Sequence, residues 1–229
     1  MIVNDHSRDH VRFLQLHLGG DRNFQYLIGD ARTGDAAAVD PGFGAGTFAA
    51  IAQDQGLSIK TILITHGHCD HTGEAAALAE LTGAEIFAGN PEVVAGAQPL
   101  VDDQLVRVGG LVVRALATPG HAPDHFCFLY EDFLVTGDLL FCGKVGGTGS
   151  FFPGSSSQEE WDSLQRILLF SPETRVYPGH DYYGGPGEMK VSTLGHERDH
   201  NPFLNGTGFA AFCALKENWA TFKQENGIR

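Results

Sequence analysis

The sequence predicts a mixed α/β fold: two sheets, covered by helices on both outer faces. Three observations predict it. Short β-rich runs fall in two halves of the chain, each interleaved with helix-forming stretches. Histidines and aspartates gather in turns that follow strands. At 229 residues the chain can bury a full core without staples, as one domain or one domain with a small lobe.

Val11 to Leu18 alternates and is β-rich, and Phe24 to Ile28 is a second apolar run. Gly19-Gly20-Asp21 between them reads as a turn. Ala36 to Val39 is a short buried strand that ends at Asp40-Pro41-Gly42. Phe48 to Gln55 is helical and stops at Gly56, and Thr61 to Ile64 is an apolar strand. Ala75 to Leu81 is rich in helix formers and is closed by Gly83. Leu105–Val108 and Leu111–Leu116 flank Gly109-Gly110 as a hairpin, and Phe126 to Tyr130 with Phe133 to Val135 forms another. Ser157-Gln158-Glu159-Glu160 has capping-box spacing, and Trp161, Leu164 and Leu168 then supply a helical stripe. Arg175 to Tyr177 is a last strand. Met189 to Gln224 reads as two helices broken at Asn201-Pro202. In the second, Phe209, Phe212, Leu215, Trp219 and Phe222 share a broad face with Lys216 inside it. The Lys216 stem either snorkels over the core or turns its ammonium into a pocket.

The net charge is −13 and no basic run appears, which argues against nucleic acid or an anionic membrane as the main partner. No apolar run reaches spanning length, and Met1 to Asp9 contains no apolar signal core. The four cysteines, at 69, 127, 142 and 213, form no Cys-x-x-Cys pair. Free thiols in a reducing cytoplasm are the expectation.

The chemistry is concentrated in Thr65-His66-Gly67-His68-Cys69-Asp70-His71. His121, Asp138 and His180 follow, each in its own turn: Thr118-Pro119-Gly120-His121, Thr136-Gly137-Asp138 and Tyr177-Pro178-Gly179-His180. Five imidazoles and two carboxylates are the inventory for two adjacent metal ions sharing one carboxylate. Residues two apart in an extended segment point the same way, so His66 and His68 can grip one ion and His121 can complete that site. Asp70 and His71, where the backbone turns into a helix, face a second ion with His180. Asp138 is the natural bridge. Nitrogen and oxygen donors without thiolate suit zinc, iron or manganese, and mixed loading is allowed. Such a pair activates a bridging hydroxide and polarises a carbonyl or phosphoryl oxygen. Asp40 either steadies these imidazoles or caps the Pro41-Gly42 turn. His6, His10, His17, His125, His196 and His200 are expected to be ordinary, and Cys69 to pack.

These residues resemble the metallo-β-lactamase superfamily, from Val11 to about Leu204. The resemblance implies a four-layer αββα sandwich, with a catalytic domain over 1–187 and a short helical extension over 188–229. Asp138 in place of cysteine argues against a true β-lactamase, and His68 in place of glutamate against the flavodiiron branch. Phe141-Cys142-Gly143-Lys144 and Ser192-Thr193-Leu194…Glu197…Asn201-Pro202-Phe203 look like glyoxalase II (hydroxyacylglutathione hydrolase), whose lysine binds the glycine carboxylate of glutathione. His180-Asp181-Tyr182-Tyr183-Gly184 and the segment from Ser192 are similar to the tail of persulfide dioxygenase, a mononuclear iron enzyme using His66, His121 and Asp138 by position.

The chain departs from both patterns. It lacks glyoxalase II's long helical insertion, has Glu74 for a glycine, and has Val145-Gly146-Gly147 where a tyrosine should follow the lysine. Lys216 stands where that family has arginine and Trp219 where it has lysine. The resemblance implies hydrolysis of a small thioester, an S-acylglutathione or similar. Asp70 and Asp138 are the catalytic carboxylates, and Lys144, Tyr182, Tyr183 and Lys216 the candidate substrate contacts. The alternative is iron-dependent persulfide oxidation.

Overall fold

The structure, a computed structural model, describes residues 2–20, 22–181, 190–206 and 208–227. Its first sheet has seven strands in sequence order: β1 (Ile2–Asp5), β2 (Val11–Leu16), β3 (Gln25–Asp30), β4 (Asp35–Val39), β5 (Ser58–Leu63), β6 (Glu85–Ala88) and β7 (Gln98–Pro99). The first four form an antiparallel meander, and β4 to β7 run parallel. Parallel neighbours need crossovers. α1 (Ala45–Asp54) joins β4 to β5, while α2 (Cys69–Thr72) and α3 (Ala75–Thr82) join β5 to β6. Phe48 and Ala52 of α1 and Leu78 of α3 pack in one core with Leu14, Leu27, Ala36, Ala38 and Ile62. The small side chains of β4 leave room for α1 to lie close.

A second sheet of six strands has the order β15-β14-β11-β10-β9-β8. Its members are β8 (Gln104–Val108), β9 (Leu111–Ala117), β10 (Phe126–Tyr130), β11 (Phe133–Gly137), β14 (Arg175–Pro178) and β15 (Ser192–Thr193). A small hairpin of β12 (Leu140–Phe141) and β13 (Lys144–Val145) follows β11. α4 (Ser157–Ile167), α5 (Leu194–His200), α6 (Phe209–Glu217) and α7 (Trp219–Glu225) complete the chain. Two compact units result: Met1–Ala117 with Phe128–Tyr130, and Thr118–Cys127 with Glu131–Arg229. In the second, Phe133, Val135, Leu164, Ile167, Val176 and Tyr177 are fully buried.

The expected mixed α/β class holds, and so do both hairpins and the Gly83 cap, which adopts φ 72°. Two local expectations change, and two further elements are present. At the N-terminus β1 pairs with β2, and Asn4 donates to the Gln15 side chain at 2.6 Å. The cap of α4 sits one residue earlier, where the Ser156 hydroxyl accepts from the Glu159 amide at 3.2 Å. The Gly-rich stretch after Asp138 contains the β12–β13 hairpin. The helix expected from Phe209 to Phe222 breaks at Asn218, whose side-chain amide and backbone N–H both donate to the Ala214 carbonyl. Both bonds close the last turn of α6, with Asn218 as its C-cap.

Two glycines let the strand-end turn at Asp40–Gly42 lie directly on the α2 segment. A Cβ on Gly42 would stand 1.9 Å from the Asp70 carbonyl oxygen, and one on Gly73 would stand 2.8 Å from that of Gly42. The contact is backbone against backbone, so no rotamer change can relieve it. Gly42→Ala is expected to cost about 1–3 kcal/mol, as overpacking does. Urea denaturation checks it; an unchanged midpoint would mean the two turns are not in contact.

Candidate metal centre

The ligand run begins where β5 ends. Thr65 leaves the sheet with its N–H donating to Asp40 Oδ1 at 2.7 Å and its hydroxyl donating to Asp40 Oδ2 at 2.6 Å. That hydroxyl has spent its proton, so at 3.0 Å from His66 Nδ1 it accepts from the ring. The Nε2 of His66 is thereby the lone-pair nitrogen, and it faces His68 Nδ1 at 2.9 Å. His71 Nδ1 donates to Asp40 Oδ2 at 2.9 Å, which leaves its Nε2 facing Asp70 Oδ2 at 3.8 Å. Asp70 is steadied by Asn23, whose side-chain amide donates to its Oδ2 at 3.0 Å.

The turns of the second unit follow the same rule. His121 Nδ1 donates to the Gly147 carbonyl at 2.8 Å, and its Nε2 lies 3.6 Å from Asp138 Oδ2. His180 Nε2 lies 3.4 Å from the same oxygen. The Asp138 backbone N–H donates to His125 Nε2 at 3.2 Å, and His125 Nδ1 donates to the Thr118 hydroxyl at 2.9 Å. These tautomers follow from the hydrogen-bond partners.

Within the first unit the donor atoms of His66, His68, Asp70 and His71 thus stand together, and within the second those of His121, Asp138 and His180 do. The seven candidate ligands fall in these two sets. Imidazoles whose Nδ1–H is held outward and whose Nε2 lone pair is left inward are prepared to bind a metal, and the nitrogen and oxygen donor set fits a divalent ion.

Asp40 is therefore a partner of His71 and Thr65 and not merely a turn cap. His125, expected to be ordinary, holds the Asp138 backbone; no spacing rule distinguished it. Cys69, expected to pack, is exposed. Asn23, 47 residues from Asp70 in sequence, was equally invisible.

Lys144 stands at the β12–β13 turn with its ammonium 5.7 Å from the Phe141 ring centre. Burial lowers its pKa, while the Asp138 carboxylate pulls it back up. Glu197 and Asn201 fix this turn. Glu197 Oε2 accepts from the Gly143 amide and from Asn201 Nδ2, each at 2.8 Å, and Asn201 Nδ2 reaches the Lys144 carbonyl at 3.2 Å. Lys216 does not snorkel outward: its ammonium pairs with the Glu160 carboxylate and donates to the Gly146 carbonyl at 2.8 Å. Burial pushes the Glu160 carboxyl up to about 7, with Lys216 and Lys144 holding it down. Tyr182 and Tyr183 lie outside the described residues.

Replacing Asp40 tests the geometry. Asp40→Ala frees the His71 ring and strands the buried Thr65 amide. Metal affinity is expected to fall about 10–100-fold, as loss of a ligand's outer partner does. Competition with a chelator measures this, and wild-type affinity would show that His71 needs no such support.

Residues 18–180 match the metallo-beta-lactamase superfamily. A hydroxyacylglutathione hydrolase of Rhodopseudomonas palustris (strain BisA53) is 38% identical over 192 residues, 80% of this chain and 70% of that one. A probable polyketide biosynthesis zinc-dependent hydrolase, BaeB of Bacillus velezensis, is 32% identical over 75% of this chain and 79% of its own. Among solved structures, ETHE1 from Myxococcus xanthus superposes with a TM-score of 0.81 at 32% identity, covering 90% of each chain. With its two sheets, its interleaved helices and its histidine–aspartate run, this chain belongs to the metallo-beta-lactamase superfamily.

Proposed function

We propose that this protein is a metal-dependent hydrolase of a small thioester, of the S-acylglutathione type, with two divalent ions at its centre. The observation that carries the reading is the support given to Asp70 and His71. Asn23 holds the first and Asp40 the second, at 3.0 and 2.9 Å. Such outer partners are what two ligands of a second ion would need. The likeness to the hydroxyacylglutathione hydrolase of Rhodopseudomonas palustris points the same way.

Bound divalent ions supply Lewis acidity and a nucleophile at neutral pH. Zinc, iron and manganese all suit the donors. His66, His68 and His121 would hold one ion and Asp70, His71 and His180 the other, with Asp138 available to both. Asp70, about a third exposed, also takes up a proton as product forms. A thiolate leaves without much proton help, so no separate general acid is needed. Lys144 anchors an anionic end of the thiol carrier. In a chain of net charge −13 such an anion needs a local cation, and burial strengthens the attraction.

The second reading is a mononuclear iron persulfide dioxygenase. It is favoured by Ser192-Thr193…Glu197-Arg198…Asn201-Pro202 and by the likeness to ETHE1. Turnover of S-lactoylglutathione against glutathione persulfide, by protein with its metals counted, separates the two. Hydrolysis with two ions per chain is expected; oxygen uptake with one iron would replace the hydrolase reading. Asp138→Ala is expected to lose nearly all hydrolysis, and retained activity would reject its shared role. Lys144→Ala is expected to raise KM about tenfold, the worth of one charge-assisted hydrogen bond, with kcat nearly unchanged. Steady-state kinetics read that split, and an unchanged KM would free Lys144 of the role.

A further inference from the structure

We propose that Lys216 and Glu160 are a buried positioning pair for the His121 imidazole, acting through the Gly146-Gly147 segment rather than on substrate. The inference rests on His121 being a metal ligand, as proposed above. Two consecutive carbonyls carry the argument. Gly147 accepts from His121 Nδ1 at 2.8 Å, and Gly146 accepts from Lys216 Nζ at 2.8 Å. Lys216 therefore fixes the peptide next to the one that orients the ring.

Glu160 touches the same assembly from both sides of His121. A Cβ on Gly146 would lie 2.9 Å from Glu160 Oε1, 2.9 Å from His121 Cβ and 2.1 Å from the Asp138 carbonyl oxygen. A Cβ on Gly120, the residue before His121, would lie 2.3 Å from the Glu160 Cα. The ring itself rests on Phe152, with centroids 4.8 Å apart. Ser156, the cap of α4, donates its N–H to the Gly120 carbonyl at 2.8 Å. The first turn of α4, the Gly146-Gly147 segment and the His121 turn are thus wedged together, and α6 reaches them through one ammonium.

Stability alone does not explain the pair. The Glu160 side chain is fully buried and that of Lys216 is 11% exposed. A buried ion pair contributes little over well-packed apolar residues of similar size, whereas removing one partner is costly. A pair whose ammonium also fixes a backbone carbonyl beside a ligand has a positional use.

That difference supplies the test. In Glu160→Met/Lys216→Met the charges leave together, so the unfolding midpoint is expected to stay at or above that of the parent. Release of metal to a colorimetric chelator from the loaded protein is expected to quicken about tenfold, as for loss of a ligand's outer support. The downfield Nδ1–H resonance of His121, assigned by its absence in His121→Ala, is expected to shift with it. Release and resonance both at parental values in the double variant would overturn the inference. Should that variant not fold, Lys216→Arg and Lys216→Gln decide: release slower in the arginine variant supports the pair, and parental release in both overturns it. Full metal retention in His121→Ala would instead overturn the ligand reading on which the inference stands.

Discussion

Asp40 ends β4 with 2% exposure and carries a carboxylate that must find partners, because an unpaired buried charge is costly. It finds them in the Thr65 amide, the Thr65 hydroxyl and the His71 ring. Those bonds tie the end of one strand to the end of its parallel neighbour and to the first turn beyond. They also pay out a proton order: the threonine hydroxyl is committed to Asp40, so His66 must donate from Nδ1. The residue holds φ 51°, a conformation a non-glycine rarely adopts, and three hydrogen bonds over-determine it. Two candidate ligand imidazoles thus take their tautomers from one side chain.

The second unit solves the same problem with backbone. His121 is oriented by a glycine carbonyl, Asp138 by its own amide on His125, and Lys144 by a turn clamped between Glu197 and Asn201. The segment 143–147 carries both a candidate substrate contact and the acceptor for a candidate ligand. α4, α5 and α6 each reach it with a buried polar side chain. The C-terminal helices are therefore part of the site's architecture as well as of the core, where Trp161 and Phe203 meet Phe212 and Trp219.

Much of this was legible beforehand because metal chemistry demands a narrow set of residue types at strand-end turns. The seven ligand candidates stood out by density alone, and glycine and proline marked each turn. Partners were less visible. Asp40 was open between two roles because a turn aspartate before proline looks the same in either. Glu160 and Lys216 are 56 residues apart, and only tertiary packing brings them together. Adjacent serines at 155–157 blurred the α4 cap by one position. The break at Asn218 was hidden because the apolar stripe runs through it unbroken, while the side chain that ends α6 is merely polar on paper. β1 escaped notice because a four-residue edge strand offers too short a pattern to read.

The stretch after Gly147 is pinned at both ends. Gly147 is tied to His121, the Gly149 amide donates to the Ser155 hydroxyl at 2.9 Å, and Ser156 is tied to Gly120. Between those anchors Phe151 is 91% exposed. The Phe151 side chain can be exchanged without touching the bonds that orient His121. For protein engineering, the exposed position 151 is accordingly the natural one to vary, while Phe152 beside it stays in place against the His121 ring.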